Sequence, residues 1–569
     1  MEGTRILRRT IWTLWLQGRS LAPPVIQHCI ASWERLNPTW EVRVLDAGTV
    51  GRYVDVGDVV DLDHQAVTAA SLSDIVRLLL LREYGGVWVD ASLLCTRPLD
   101  DWLDPCAAEG FFAFADPGPD RPVASWFLAA VEDDPLCAAW TDATADFWRG
   151  RECSDDYFWF HHLFTSLLDT DRSFRNRWAR VPKVDAEGPH AYLGERMYEP
   201  IDELRPPADR SVPLVKLTHR IDPDRVRRGC VLDAFGLLDP VSPRDPDSGI
   251  AGPPTPVGGI DSRPVVGQKV ATENIGDHLQ VLAARQLLGG FGFVEGALVD
   301  RDEEIATGVV GSGGPSGAVP VVLHGWHKTN SDQWPPHPQF APVYLGFHVR
   351  PHQAPTLLGD AAIDHYDAHG PVGCRDEYTL GELRSRGVEA FLSNCLTLLF
   401  RRPVGRPELR TEVLVTSRDE RILGYLPDDF HYDQFVCHYS GTTDFDANLR
   451  QAQDVLDRCR SRTRLVVTTL LHSALPALAM GIPVVVFYPV NDDQGHHSDR
   501  ERFSTLRTMV PVHDLVDQEG VDWRGSRAPV AHVKLTLLDA FAALSARWGP
   551  PPVRPVGPWQ PPEALPVPS

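Results

Sequence analysis

Two stretches of this chain carry residue types whose spacing can do chemistry. The first reads SLSDIVRLLLLREYGGVWVDAS, from Ser71 to Ser92. Ser71 and Asp74 fit the opening of a helix. Asp74 and Arg77 are three apart, which predicts one shared helical face. Gly85 and Gly86 stop that helix, and the apolar run after them predicts a strand that ends at Asp90. In open α/β sheets, ligands sit beyond the carboxyl ends of strands. A carboxylate there is placed to hold a divalent metal against a diphosphate, neutralising its charge and assisting departure of the leaving group. Each residue also has a plain structural reading, as a capping acid, a surface cation or a turn residue. Their joint order is what favours chemistry.

The second stretch is VVTTLLHSALPALAMGIPVVVF, Val466 to Phe487, which puts His472 at a strand-to-helix junction. A histidine there is in reach of a bound anion and can donate a proton. An ordinary helix-entry histidine is the plain alternative. Two other segments offer anion-binding groups. Asn274, Gly276 and Asp277 form a glycine-containing turn into a helix, whose first N–H groups face anions. GCRDEYT places Arg375 and Asp376 at a second helix start. HGWHKT, His324 to Thr329, lacks further ligands at metal spacing. GGFGFVEG has the wrong glycine spacing for a nucleotide fingerprint and follows a helix, not a strand.

The elements that must position these residues alternate short β-rich runs with amphipathic helical runs, which predicts α/β architecture in two blocks. Residues 1–238 form the first block and 265–546 the second. Between them, 239–264 is rich in proline, glycine, serine and aspartate and predicts a semi-extended linker. The proline-rich end, 547–569, predicts a disordered tail.

The chain has 569 residues and a formal net charge of −22, which argues against nucleic acid or an anionic membrane surface as partner. No apolar run reaches the roughly 20 residues that span a bilayer, so no integral membrane segment is expected. The opening MEGTRILRRTIWTLWLQG reads as a first strand and not a signal peptide. Ten scattered cysteines, with no CxxC pair, suit free thiols in a reducing cytoplasm.

The order Ser73-Asp74, Arg77, Gly85-Gly86, Asp90 resembles the SDxxRxxxLxxxGGxxxDxD pattern of DxD-type glycosyltransferases, in the capsular polysaccharide synthesis branch. WLQG at Trp15–Gly18, HCIASWERLNPTWEVRVLD at 28–46, YFWFHHLF at 157–164 and KLTH at Lys216–His219 agree with it. The resemblance implies a GT-A-like, Rossmann-like fold, a nucleotide-diphosphate sugar donor, Mn²⁺ or Mg²⁺, and retention of anomeric configuration. It puts Asp74 and Arg77 on the donor sugar and Asp90 on the metal with Ser92 beside it. His219 becomes a late metal ligand, a diphosphate contact or a structural histidine. Ser92 stands where the family has its second acid, and a hydroxyl is a weaker ligand for a hard cation.

NIGDHLQ, HGW, YLGFHV, GCRDEYT, SNCLTLLF and HSALPALAMGIPVV, in that order, resemble the polysaccharide pyruvyl transferase family over roughly 265–510, and ERF at Glu501–Phe503 extends the match. The resemblance implies two Rossmann-like lobes in a GT-B-like arrangement, with phosphoenolpyruvate as donor. His472 matches the motif histidine and becomes the acid. Asn274, Gly276 and Asp277 match the opening loop, and Arg375 an anion-binding position. The family motif Arg-Leu-His reads Leu470-Leu471-His472 here, removing one guanidinium; Arg418 and Arg502 are the available substitutes.

The leading expectation is a bifunctional enzyme of polysaccharide assembly, acting on a glycan acceptor and leaving room for peripheral association with a lipid-linked glycan. Two alternatives stay open. In one, the second block is a glycan-binding module without catalysis. In the other, the first domain is degenerate and only the second is active.

Overall fold

The computed structural model describes residues 6–154, 156–200, 213–237, 265–293, 295–308, 319–327, 334–405, 409–489, 501–515 and 518–549. The expected linker at 239–264 lies outside them, as does the tail from 550 on. The described residues fall into two units, 6–237 and 265–549.

The first unit is built on β1 (Thr10–Leu14), helix α1 (Pro24–Leu36), β2 (Glu41–Leu45), helix α2 (Ala69–Tyr84), β3 (Gly86–Val89), β4 (Leu93–Cys95), β5 (Phe111–Ala113), β6 (Phe127–Ala130), helices α3 (Pro135–Trp148) and α4 (Trp159–Thr170), and β7 (Leu214–Lys216). The main sheet runs β2-β1-β3-β6-β5. β1 pairs parallel with β2 and β3, while β6 is antiparallel to both β3 and β5. β4 and β7 form a separate two-stranded ribbon. This mixed, Rossmann-like sheet agrees with the GT-A-like expectation.

Helix α2 begins earlier than its sequence pattern predicts. Thr68, not Ser71, is its N-cap and accepts from the Ser71 N–H at 3.1 Å. Asp74 therefore sits past the cap, inside the helix. Leu72, Ile75, Val76, Tyr84 and the run Leu78–Leu81 are buried, so the helix packs on nearly every side. Its stop is steric as well as conformational. Gly85 and Gly86 have φ of +66° and +103°, and a Cβ on Gly86 would lie 2.5 Å from the Thr10 carbonyl oxygen. The close approach seats β3 against β1 and aims Asp90 out of the sheet's end.

The second unit has two all-parallel sheets. The first lobe uses β8 (Val265–Lys269), helix α5 (Ile275–Gly290), β9 (Glu295–Asp300), β10 (Val319–Gly325), β11 (Phe340–Phe347), β12 (Val372–Cys374), helix α6 (Glu377–Ser385) and β13 (Ala390–Leu392), in sheet order β13-β12-β11-β10-β8-β9. The second lobe uses β14 (Glu412–Ser417), β15 (Gln434–Cys437), helix α7 (Phe445–Ser461), β16 (Thr463–Thr468), helix α8 (Leu471–Ala479), β17 (Val484–Phe487) and β18 (Val512–His513), in order β15-β14-β16-β17-β18. Two Rossmann-like lobes are the GT-B-like arrangement expected. Helix α9 (Ala531–Ser545) ties them together: Lys534 donates to the carbonyls of Phe400 and Ala479, one from each lobe. Trp548 packs on Phe293 and Phe541 and donates to the Ala341 carbonyl at 3.0 Å. Ordered packing thus runs to Trp548, two residues beyond the expected edge at 546.

Candidate functional site

In the first unit the carboxyl end of β3 gathers Asp74, Arg77, Asp90 and Ser92 as expected. Arg77, 3% exposed, donates to Asp74, to Ser73 Oγ at 3.1 Å and to Asp90 Oδ1 at 3.0 Å. Its guanidinium lies over the rings of Trp88 and Phe160, at 5.2 and 5.6 Å from their centroids. The Trp88 indole also donates to Asp90 Oδ1, at 3.1 Å. A residue that sequence reasoning did not single out completes the cluster. Lys216 Nζ donates to Asp90 Oδ2 at 2.8 Å and to Ser92 Oγ at 2.9 Å.

One guanidinium thus serves two carboxylates, and they separate electrostatically. Burial pushes the Asp74 carboxyl up to about 7; Arg77 opposes the rise and the charge of Asp90 adds to it. Burial would raise Asp90 too, but Lys216 and Arg77 outweigh it and hold that carboxyl below its ordinary range.

In the expected metal set of Asp90, Ser92 and His219, each side chain already has a partner within the protein. Both oxygens of Asp90 already accept from cations, and Ser92 accepts from Lys216. His219 packs its ring edge-on against Trp15, with centroids 5.5 Å apart. Among the described residues no three His, Cys, Asp or Glu side chains converge as metal ligands. A divalent ion at Asp90 would have one carboxylate and the donor's phosphate oxygens as ligands, and would meet an ammonium and a guanidinium of like charge.

In the second unit a cleft of about 300 Å³ opens where the lobes meet. The N-terminus of α5 forms one wall. Asn274 caps it, its Oδ1 accepting from the Gly276 N–H at 3.1 Å, while the Ile275 N–H donates across to the His438 carbonyl at 3.0 Å. The other wall is the β16–α8 junction, with Leu470, Leu471 and His472. Arg418 and Arg502 also line the cleft, so the guanidinium missing at Leu470 has two cationic neighbours in the same space. Asp277 does not line the cleft, though its charge reaches Arg375. It is 1% exposed, accepts from Gln280 and lies 3.8 Å from the Arg301 guanidinium.

Arg375 is 1% exposed, and none of its three guanidinium nitrogens has a hydrogen-bond partner among the described residues. Asp376 is its nearest counter-charge, at 3.7 Å. That carboxylate is committed elsewhere: it caps α6 through Thr379 and accepts from His348 Nδ1 at 2.5 Å. An unsatisfied buried guanidinium is costly, and a bound anion removes the cost. His472 lies in this field. Burial first, then Arg375, Arg502, His438 and Arg418, drive its pKa well below the ordinary value. Its Nε2 is buried without a hydrogen-bond partner among the described residues. The resting imidazole is therefore neutral, not the imidazolium expected of a ready acid.

With this geometry in view, the comparisons are specific. Residues 3–235 match the family model described as capsular polysaccharide synthesis protein. Residues 274–490 match the model described as polysaccharide pyruvyl transferase. The chain thus joins a glycosyltransferase-like region to one that resembles the pyruvyl transferase family. Among curated proteins, the O-glycosyltransferase braB of Annulohypoxylon truncatum is 30% identical over 162 residues, covering 25% of this chain and 38% of that protein. The O-glycosyltransferase PaGT of Phomopsis amygdali is 27% identical over 221 residues, covering 34% of this chain and 54% of that protein. The chain thus spans less than two thirds of either relative. A solved structure of galactosyltransferase LgtC aligns at 13% identity over 40% of this chain and 94% of that one, with a TM-score of 0.24. The fold assignment rests on the strand orders above. No helix among the described residues is long and apolar enough to cross a membrane.

Proposed function

We infer that this chain is a two-site enzyme of polysaccharide assembly. The first domain transfers a sugar from a nucleoside-diphosphate donor to a glycan, with retention of configuration. The second transfers a pyruvyl group from phosphoenolpyruvate to a glycan as a ketal. The observation that carries the second half is His472 in a cleft lined by Arg418 and Arg502, with the field of the buried Arg375 guanidinium, which has no hydrogen-bond partner among the described residues, reaching it from behind the lining. That concentration of positive charge fits a small phosphorylated carboxylate better than a neutral sugar.

The chemistry follows from the charges. A multiply charged anion entering the cleft offsets the cations that keep His472 neutral, so donor binding itself raises the histidine's pKa and loads its proton. The imidazolium protonates the methylene carbon of phosphoenolpyruvate, and C2 becomes electrophilic. One sugar hydroxyl adds to C2 and returns its proton to the imidazole. The second hydroxyl then displaces phosphate, which leaves with that hydroxyl's proton, and the ketal closes. Arg418 and Arg502, which line the cleft, hold the phosphate.

In the first domain, Arg77 is fixed between Asp74 and Asp90 and stacked on two rings, which suits it to orient a donor sugar. The ten cysteines, present as thiols, suit a cytoplasmic enzyme working peripherally on a lipid-linked glycan. A second reading rests on Leu470, which puts an apolar side chain into the cleft where the family has arginine: a glycan-binding module without turnover. A mass-spectrometric donor screen separates the two. The enzyme reading expects a sugar increment with one nucleotide sugar and a phosphoenolpyruvate-dependent increment on the glycan. Glycan binding with no phosphoenolpyruvate consumption favours the module.

A further inference from the structure

The cluster at the end of β3 carries a cation of its own. β7 pairs antiparallel with β4 so that Lys216 is the register partner of Leu93, the residue after Ser92. This pairing carries the ammonium to Asp90 across 126 residues of sequence. An ammonium has three N–H donors. Among the described residues two are used, on Asp90 Oδ2 and Ser92 Oγ, and the side chain keeps 16% exposure, which leaves one donor for a ligand.

The residues around it match a cation that is part of the chain. An acid at position 92 would call for a metal, whereas the hydroxyl of Ser92 is satisfied by accepting from Lys216. Arg77, locked over Trp88 and Phe160, occupies the other oxygen of Asp90 and has little room to move aside. A divalent ion at Asp90 would therefore sit against both an ammonium and a guanidinium, and like charges at such distances repel strongly. Two carboxylates, Asp74 and Asp90, face two cations, Arg77 and Lys216, so a diphosphate approaches a cluster with no excess negative charge.

We propose that Lys216 takes the role of the divalent cation in the first domain: its ammonium, fixed between Asp90 and Ser92, grips the diphosphate of a nucleoside-diphosphate donor, and binding needs no metal. The proposal rests on the glycosyltransferase reading of that domain. It replaces a diffusible ion by a fixed charge whose position is set by the β4–β7 ribbon.

Isothermal titration of the full chain tests it, with UDP, GDP, ADP, CDP and dTDP as probes, in EDTA and then in Mn²⁺. At least one nucleotide should bind in EDTA, and Mn²⁺ should change its Kd by less than about twofold. Lys216→Met should weaken that binding by about tenfold or more, in either condition, with Lys216→Arg retaining part of it. Thermal melting of the variants checks that they fold, and the EDTA comparison uses unmutated protein, so it stands even if a variant fails to fold. Binding that requires Mn²⁺, or Lys216→Met binding as well as wild type, overturns the proposal and leaves the donor reading standing. No binding of any probe in either condition removes the donor reading and the proposal with it.

Discussion

Gly276 and His472 are in contact so close that no side chain fits between them. A Cβ on Gly276 would lie 2.9 Å from Nδ1 of His472 and 3.0 Å from its Cβ. The glycine lets the N-terminus of α5, in one lobe, meet the N-terminus of α8, in the other, and both helix starts then face one cleft.

Gly276→Ala should disrupt that junction. The backbone of one helix must shift, and overpacking of this kind costs about 1–3 kcal/mol. The expected result is a modest loss in denaturant stability of the second domain and a large loss of phosphoenolpyruvate binding, read by titration. Unchanged binding would show that the α5–α8 contact does not shape the anion site.

Arg375→Met should cost both stability and donor binding. The substitution removes one member of a buried ion pair and leaves the Asp376 carboxylate without that guanidinium, a change that costs about 3–5 kcal/mol. The melting temperature without ligand should fall, and stabilisation by added phosphoenolpyruvate should vanish. A variant that melts earlier yet keeps that stabilisation would make Arg375 structural.

Arg418→Ala and Arg502→Ala test whether these residues supply what Leu470 lacks. Charge-assisted hydrogen bonds contribute about 1.5–3 kcal/mol. Each variant should weaken phosphoenolpyruvate binding by roughly ten- to hundredfold, and Leu470→Arg should recover part of the loss. Wild-type affinity in both alanine variants would exclude them from the donor site.

The second domain should be acid-sensitive. Burial holds the imidazoles of His324, His348 and His438 down to about 3, and that of His472 well below the ordinary value. Their folded pKa values lie below the unfolded one, so on acidification the unfolded chain takes up protons that the folded chain refuses. Stability is fully present above about pH 6.5 and falls as the pH drops below it, by about 1.4 kcal/mol per unit for each such histidine. Unfolding curves at pH 7 and pH 5 should show the drop. Bound phosphoenolpyruvate should lessen it, because its charge raises His472.

Much of the first site is legible in local sequence. The α2–β3 unit shows because a helical period, two glycines and an apolar run lie within 22 consecutive residues, Ser71 to Ser92. The cap is not legible, because Thr68 and Ser71 are both hydroxyl residues three apart, and either satisfies a capping pattern. Lys216 stands in the KLTH motif, but its partners lie 126 and 124 residues away and are joined to it only by the β4–β7 pairing. His348 and Asp376 meet across two strand ends, a juxtaposition no local spacing encodes. The neutrality of His472 depends on summed charge from Arg375, Arg502, His438 and Arg418, four residues scattered along the chain.

The most direct test of the two-site account is one reaction holding both donors and a glycan acceptor, with products weighed by mass spectrometry for wild type, Asp90→Asn and His472→Ala. Wild type should yield glycan carrying both the sugar and the pyruvyl increments. Asp90→Asn leaves Arg77 and Lys216 without their shared carboxylate and should lose the sugar increment, while still pyruvylating a glycan that already bears the sugar. His472→Ala should do the reverse. Loss of both increments in each folded variant, or no pyruvyl increment from wild type on any glycan, would contradict the account.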